Sequence, residues 1–136
     1  MKVCYFDSSA LVKRAVREEL WSQEFLDFLL AFDPDVDWVT SELATVECHR
    51  SLARIVPEEE LEAAMHLALS SVGRVAIGEP VIERASVVGD TRLPSLDAIH
   101  LATALLVDAD ALVTYDDRLA EAARAEGIDV LMPGRA

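Results

Sequence analysis

Basic side chains are scarce in this chain. Twelve lysines and arginines face 25 aspartates and glutamates in 136 residues, leaving a formal charge of −13 and a pI near 4.4. So acidic a surface excludes diffuse electrostatic binding to nucleic acid or anionic lipid, and any nucleic-acid chemistry has to be done at a local site. Cysteine is nearly absent too: Cys4 and Cys48 can pair only once. That excludes a disulfide scaffold and points to buried free thiols in a reducing cytoplasm. Long apolar runs are missing, and the stretch after Met1 and Lys2 is broken by Asp7, far short of a signal-peptide core. The expected location is cytoplasmic, with no membrane partner. Repeats, low-complexity segments and linkers are absent as well, and 136 residues leave no room for a second domain, so residues 1–136 read as one.

What is present alternates between two periods. Short β-forming runs occur at Val3–Phe6, Val36–Thr40, Val75–Ile77, Ala111–Thr114 and Ile128–Leu131. Between them lie helical patterns: one from Ala10 to Val16, Leu20 to Phe32 with Trp21, Phe25 and Phe28 on a stripe, and one capped by Ser41 that runs to Ile55. Others follow from Pro57 to Val72, Pro80 to Val88, Pro94 to Val107 and Asp116 to Ala125. Short strands alternating with helices predict an α/β fold with a parallel central sheet of four to five strands covered by about seven helices.

In such a sheet, function collects at the carboxyl ends of strands where strand order reverses. Asp7 and Asp116 fall at two such ends, where each also reads as a helix N-cap. Glu47 falls on a largely apolar helix and needs a partner there, for which Arg50, one turn on, is a candidate. Asp97, at the start of Asp97-Ala98-Ile99-His100-Leu101-Ala102-Thr103-Ala104, doubles as a first-turn dipole partner. Converged at one end of the sheet, four carboxylates would repel one another unless a divalent cation neutralised them. Mg2+, or Mn2+, prefers such oxygen ligands and would suit the set to phosphodiester hydrolysis.

The residues that carry these acids resemble a known family. Tyr5-Phe6-Asp7-Ser8-Ser9-Ala10-Leu11-Val12-Lys13, Ser41-Glu42-Leu43 through Glu47, Leu96-Asp97-Ala98-Ile99-His100, and Val113-Thr114-Tyr115-Asp116 with Arg118 look like the PIN domain, in the VapC-type toxins of prokaryotic toxin–antitoxin pairs. The resemblance implies a metal-dependent endoribonuclease with Asp7, Glu47, Asp97 and Asp116 as its acidic metal site and Ser8 and Thr114 in support. Asp117 stands where similar proteins often carry a different residue and is a secondary candidate. The resemblance also implies an RNA substrate, a homodimer touching through the Trp21, Phe25, Phe28 stripe, and a cognate antitoxin whose basic C-terminal peptide enters the acidic site.

Candidate phosphate contacts are Lys13, Arg14, Arg50 and Arg118, each of which also reads as a solvated side chain. His49, His66 and His100 form no zinc-like spacing with the cysteines, although His100 lies one turn from Asp97. Three other readings compete. A non-catalytic acidic module binding a basic partner needs no convergent cluster, and a PIN nuclease of RNA processing needs no antitoxin. A phosphoaspartate protein needs a lysine after a late strand, whereas the only lysines are Lys2 and Lys13.

Overall fold

The computed structural model describes residues 1–135; residue 136 lies outside it. Five parallel strands form one sheet: β1 (Val3–Phe6), β2 (Asp37–Ser41), β3 (Gly73–Val75), β4 (Ala111–Val113) and β5 (Asp129–Leu131). Their order is β3-β2-β1-β4-β5. Seven helices connect them: α1 (Ser8–Leu11), α2 (Ser22–Leu30), α3 (Leu43–Ala53), α4 (Leu61–Leu69), α5 (Glu79–Ala85), α6 (Ser95–Leu106) and α7 (Asp117–Ala125). Strand order reverses between β1 and β4, which lie side by side with Phe6 opposite Val113. The expected α/β architecture is the observed one.

The central strand is apolar on both faces because both are covered. Cys4 and Phe6 point into a core built with α1 to α4, whereas Tyr5 points into a second core built with α5, α6 and α7. Strand β4 repeats the alternation, with Ala111 and Val113 on the first side and Leu112 on the second. Seven of the eight aromatic side chains gather on the first side. Phe6 meets Phe25, Phe32 and Trp38 edge to face, Phe25 meets Phe28 and Tyr115, and Trp21 stacks on Tyr115 with 5.6 Å between centroids. The α2 stripe, readable as core or as a dimer contact, is turned inward in part: Phe25 is fully buried, whereas Trp21 and Phe28 are half-buried.

Local chemistry moves several boundaries. The helix expected from Ala10 to Val16 is only α1 followed by a 3-10 turn at Val12–Arg14. Lys13 is pulled into the interior, where Nζ donates to the Leu20 carbonyl at 2.7 Å, and Ser22 Oγ donates to the Lys13 carbonyl at 2.7 Å. These bonds turn the chain back on itself. Helix α4 ends at Leu69 instead of Val72 because Ser71 adopts a left-handed conformation (φ 63°) and Val72 packs into the core. Strand β3 consequently begins at Gly73, two residues earlier than its sequence suggests. Ser41 ends β2, but its Oγ still accepts the Leu43 amide at 3.0 Å and so serves the start of α3.

Among the described residues, no helix is long and apolar enough to cross a membrane. Truncating Phe25 to Ala is expected to cost about 3–5 kcal/mol in urea-induced unfolding, whereas Leu30→Ala, at a site 85% exposed, changes it by about 0.5 kcal/mol or less. Equal effects of the two substitutions would show that α2 does not pack as described.

Candidate active site

The reversal point between β1 and β4 puts Asp7 and Asp116 at neighbouring strand ends, and Thr114 links them. Thr114 Oγ1 donates to Asp7 Oδ2 at 2.5 Å and accepts the Asp116 amide at 3.0 Å. Asp7 is the N-cap of α1: its Oδ1 accepts the Ala10 amide at 3.1 Å and the Ser9 hydroxyl at 2.7 Å. Asp116 is the N-cap of α7, with Oδ1 accepting the Arg118 and Leu119 amides. The capping role is thus real for both residues. It also aims them, because each cap fixes one oxygen and with it the direction of the whole carboxylate.

Glu47 and His100 come together from α3 and α6. His100 Nε2 lies 2.5 Å from Glu47 Oε1, and its Nδ1 lies 2.7 Å from the Tyr5 hydroxyl. The imidazole is buried and sits edge-on to the Tyr5 ring. The partner of Glu47 is therefore His100 and not Arg50, which is exposed one turn along α3. Sequence reasoning missed this pairing, and its only sign was the position of His100 one turn from Asp97.

An open cavity of 600 Å³ is lined by Glu47, Asp97, Asp116, Asp117 and Arg118, with the Pro94–Leu96 segment as one wall. Asp7 is 4% exposed and does not line it, but its charge reaches Asp97. The carboxylates feel one another: burial pushes the Asp97 carboxyl up to about 6, and the charges of Asp116, Asp7 and Glu47 add to the rise against the pull of His100. Burial also raises Asp7, opposed by His100, Thr114, Ser9 and the Ala10 amide. For His100 burial opposes the charge, but the hydrogen bond to Glu47 and the fields of Asp7, Glu47 and Asp97 outweigh it and raise the pKa.

Several expected supporting residues are placed elsewhere. The serine bonded to Asp7 is Ser9, whose Oγ also accepts the Tyr115 amide at 3.0 Å; Ser8 makes no such bond. Asp117 does line the cavity, at its exposed edge, where it pairs with Arg135 at 2.7 Å. Lys13 is 5% exposed, and its ammonium lies over the Tyr115 ring as well as on Leu20, so it does not reach a phosphate. Arg14 donates to the Ser70 carbonyl at 2.6 Å and lies over Trp38. Of the four candidate phosphate contacts, only Arg118 borders the acidic cavity. His49 and His66 are exposed on α3 and α4, and the two cysteines are buried and unpaired, their thiols raised to about 12 by burial.

Oxygen donors dominate the cavity, and they raise each other's cost of ionisation, which is the chemistry a divalent cation relieves. As they stand, no group of three or more His, Cys, Asp or Glu side chains among the described residues is drawn close enough to hold a metal ion. The donor set fits Mg2+ or Mn2+ in type and charge but is not closed around one.

The shifts fix the pH dependence of stability. Asp97 binds its proton up to about pH 6 when folded, against 3.8 ordinarily, so its stabilising contribution is complete below the lower value and lost as pH rises through the higher. His100, raised above 6.5, loses its contribution in the same direction. The metal-free protein is expected to melt at progressively lower temperature as the buffer is taken from about pH 5 to about pH 8, and Asp97→Asn to flatten the fall near pH 6. A melting temperature that climbs over this range in scanning calorimetry would contradict the geometry of the cluster.

The PIN domain family matches residues 4–125. Ribonuclease VapC35 of Mycobacterium tuberculosis is 38% identical over 136 residues, covering 97% of this chain and 98% of that one. Ribonuclease VapC46 of the same organism is 38% identical over 135 residues, with 98% and 99% covered. Among solved structures, the M. tuberculosis toxin VapC20, described as cleaving the sarcin–ricin loop, superposes with a TM-score of 0.76 at 18% identity over 96% of this chain and 99% of that one. A toxin–antitoxin complex from Klebsiella pneumoniae gives 0.68 at 23% identity over 98% and 99%. The strand order and these relatives agree, and the chain belongs to the PIN-domain family of VapC ribonucleases.

Proposed function

We propose that this protein is a divalent-cation-dependent endoribonuclease, the toxin of a toxin–antitoxin pair, with Asp7, Glu47, Asp97 and Asp116 as the acidic site. The observation that carries this reading is that Glu47, Asp97 and Asp116 line one cavity, where burial first and then the charges of Asp116, Asp7 and Glu47 raise the Asp97 carboxyl. A non-catalytic acidic surface gives no reason to bury Asp7 within electrostatic reach of Asp97. The same four residues would hold Mg2+ or Mn2+. When bound, such an ion supplies Lewis-acid stabilisation of the phosphoryl oxygens and lowers the pKa of a water.

The chain's own residues divide the remaining work. Thr114 and Ser9 hold Asp7 from two sides, leaving its carboxylate no freedom to turn away from the cavity. His100, fixed by Tyr5, holds one oxygen of Glu47 and leaves the other for the cavity. Arg118, on the cavity rim, is placed to meet a phosphate of the RNA strand. The half-buried acids exclude an RNA backbone in the absence of a cation and accept a basic peptide in its place. This supports an antitoxin with a basic C-terminal tail, in keeping with the toxin–antitoxin complexes among the structural neighbours.

Chelation of divalent ions is expected to abolish cleavage of total RNA on a denaturing gel, and added Mg2+ or Mn2+ to restore it. Cleavage that persists in chelator would remove the metal from the proposal. Asp97→Asn should lower the rate by about a hundred-fold or more while leaving circular dichroism unchanged. His100→Ala should lower it by about 10- to 100-fold by freeing Glu47. Wild-type rates in Asp97→Asn would remove Asp97 from the site, and a wild type that cleaves no RNA with any divalent ion would favour the non-catalytic binding module instead.

A further inference from the structure

A second cavity, of 420 Å³, opens on the other side of the Asp7 network. It lies between α1, the 3-10 turn that follows it and the C-terminal half of α3, and is lined by Ser8, Ser9, Ser51, Arg54, Ile55 and Tyr115 among others. Two connections join it to the acidic centre. Ser9 Oγ, in its wall, donates to Asp7 Oδ1 at 2.7 Å. Ser51 and Arg54 follow Glu47 at i+4 and i+7, so one face of α3 serves both cavities. Along the helix axis Ser51 lies roughly 6 Å and Arg54 roughly 10 Å beyond Glu47.

The lining is chemically specific. Lys13 borders the cavity, but its ammonium is held by the Leu20 carbonyl and by Glu19. Arg54 forms no ion pair among the described residues and is exposed to the cavity, which makes it the free cation there. The hydroxyls of Ser8 and Ser51, both half-buried, have no hydrogen-bond partner among the described residues. One unpaired guanidinium, two unused hydroxyls and an apolar wall of Val12 and Ile55 match a sugar-phosphate with its base. A basic peptide is disfavoured by the Arg54 charge.

We propose that this cavity binds the nucleotide adjacent to the scissile phosphate, with Arg54 on its phosphate and Ser8 and Ser51 on phosphate or ribose oxygens. The assignment rests on the ribonuclease reading above. With Arg118 bordering the acidic cavity and Arg54 beyond Glu47, the RNA strand crosses the carboxylates between two cations. A strongly acidic protein thereby gains a local binding track without a basic surface.

The test follows cleavage of a short fluorescein-labelled single-stranded RNA of mixed sequence in Mg2+, with kcat and KM read separately over a range of salt. Wild type is compared with Arg54→Ala, Arg54→Lys and Ser51→Ala, and with Arg124→Ala, an exposed arginine on α7 outside both cavities. Arg54→Ala is expected to raise KM about ten-fold with kcat within about two-fold, and to reduce the salt slope by about 0.7. Arg54→Lys should recover most of the loss, Ser51→Ala should raise KM by a smaller factor, and Arg124→Ala should match wild type. Wild-type KM and salt slope in an actively cleaving Arg54→Ala enzyme would overturn the subsite and leave the ribonuclease reading intact. Unchanged KM together with altered binding of a synthetic Arg- and Lys-rich peptide would reassign the cavity to a protein and overturn it as well. A wild-type enzyme that cleaves no RNA would overturn the ribonuclease reading, and this proposal with it.

Discussion

The Thr114 hydroxyl donates to Asp7 while accepting the Asp116 amide, and through this pair of bonds the ends of β1 and β4 are clamped together around a buried carboxylate. A buried carboxylate is costly unless its oxygens are satisfied. Here the donors are two hydroxyls and an amide, none of them charged. That choice satisfies Asp7 without neutralising it. Its charge then adds to what the neighbours feel: Asp97, raised first by burial and Asp116, is raised further, and the proton that Glu47 favours on His100 is favoured more. A lysine or arginine in place of Thr114 would hold Asp7 just as well and would extinguish the field that the site depends on.

Apart from Arg118 on the cavity rim, the cationic side chains near the centre are spent elsewhere. Lys13 spends its charge on a carbonyl, on Glu19 and on the Tyr115 ring, while Arg14 caps the carbonyls at the end of α4 and rests on Trp38. Arg135 ties down Asp117. With few basic residues to begin with, this internal use leaves the outer surface more acidic than its composition suggests. Diffuse attraction to polyanions is therefore disfavoured, and association with a basic protein is electrostatically favoured.

The sheet was legible in the sequence because apolar runs of strand length follow from a local rule, and Asp7 and Asp116 stood out just past strand ends; Glu47 and Asp97 lie on helices and were singled out by an apolar face and a first turn. Less legible was anything decided by which side chains meet across long separations. Glu47 and His100 are 53 residues apart, so helical spacing offered Arg50 as the nearer partner and geometry chose the imidazole. Ser8 and Ser9 are equivalent in the motif, and only the turn of α1 decides which hydroxyl faces Asp7. The aromatic stripe on α2 was visible as a stripe, but periodicity does not say which of its members meet the chain's own core; the burial of Phe25 and the stack of Trp21 on Tyr115 do. Lys13 was misread for a related reason, since a lysine next to an arginine in a helical pattern looks solvated until the chain bends back over it.

Strand order carries one more consequence. The first strand made during synthesis is the central one, and its neighbour on the Asp116 side arrives last but one, so Asp7 waits for a partner 107 residues away. Until β4 has been synthesised, Asp7 has no Thr114 and the reversal point does not exist. A nascent chain thus carries its first acid for most of its synthesis without owning an active centre. The arrangement of the strands delays completion of the acidic cluster until all but the last strand has been made.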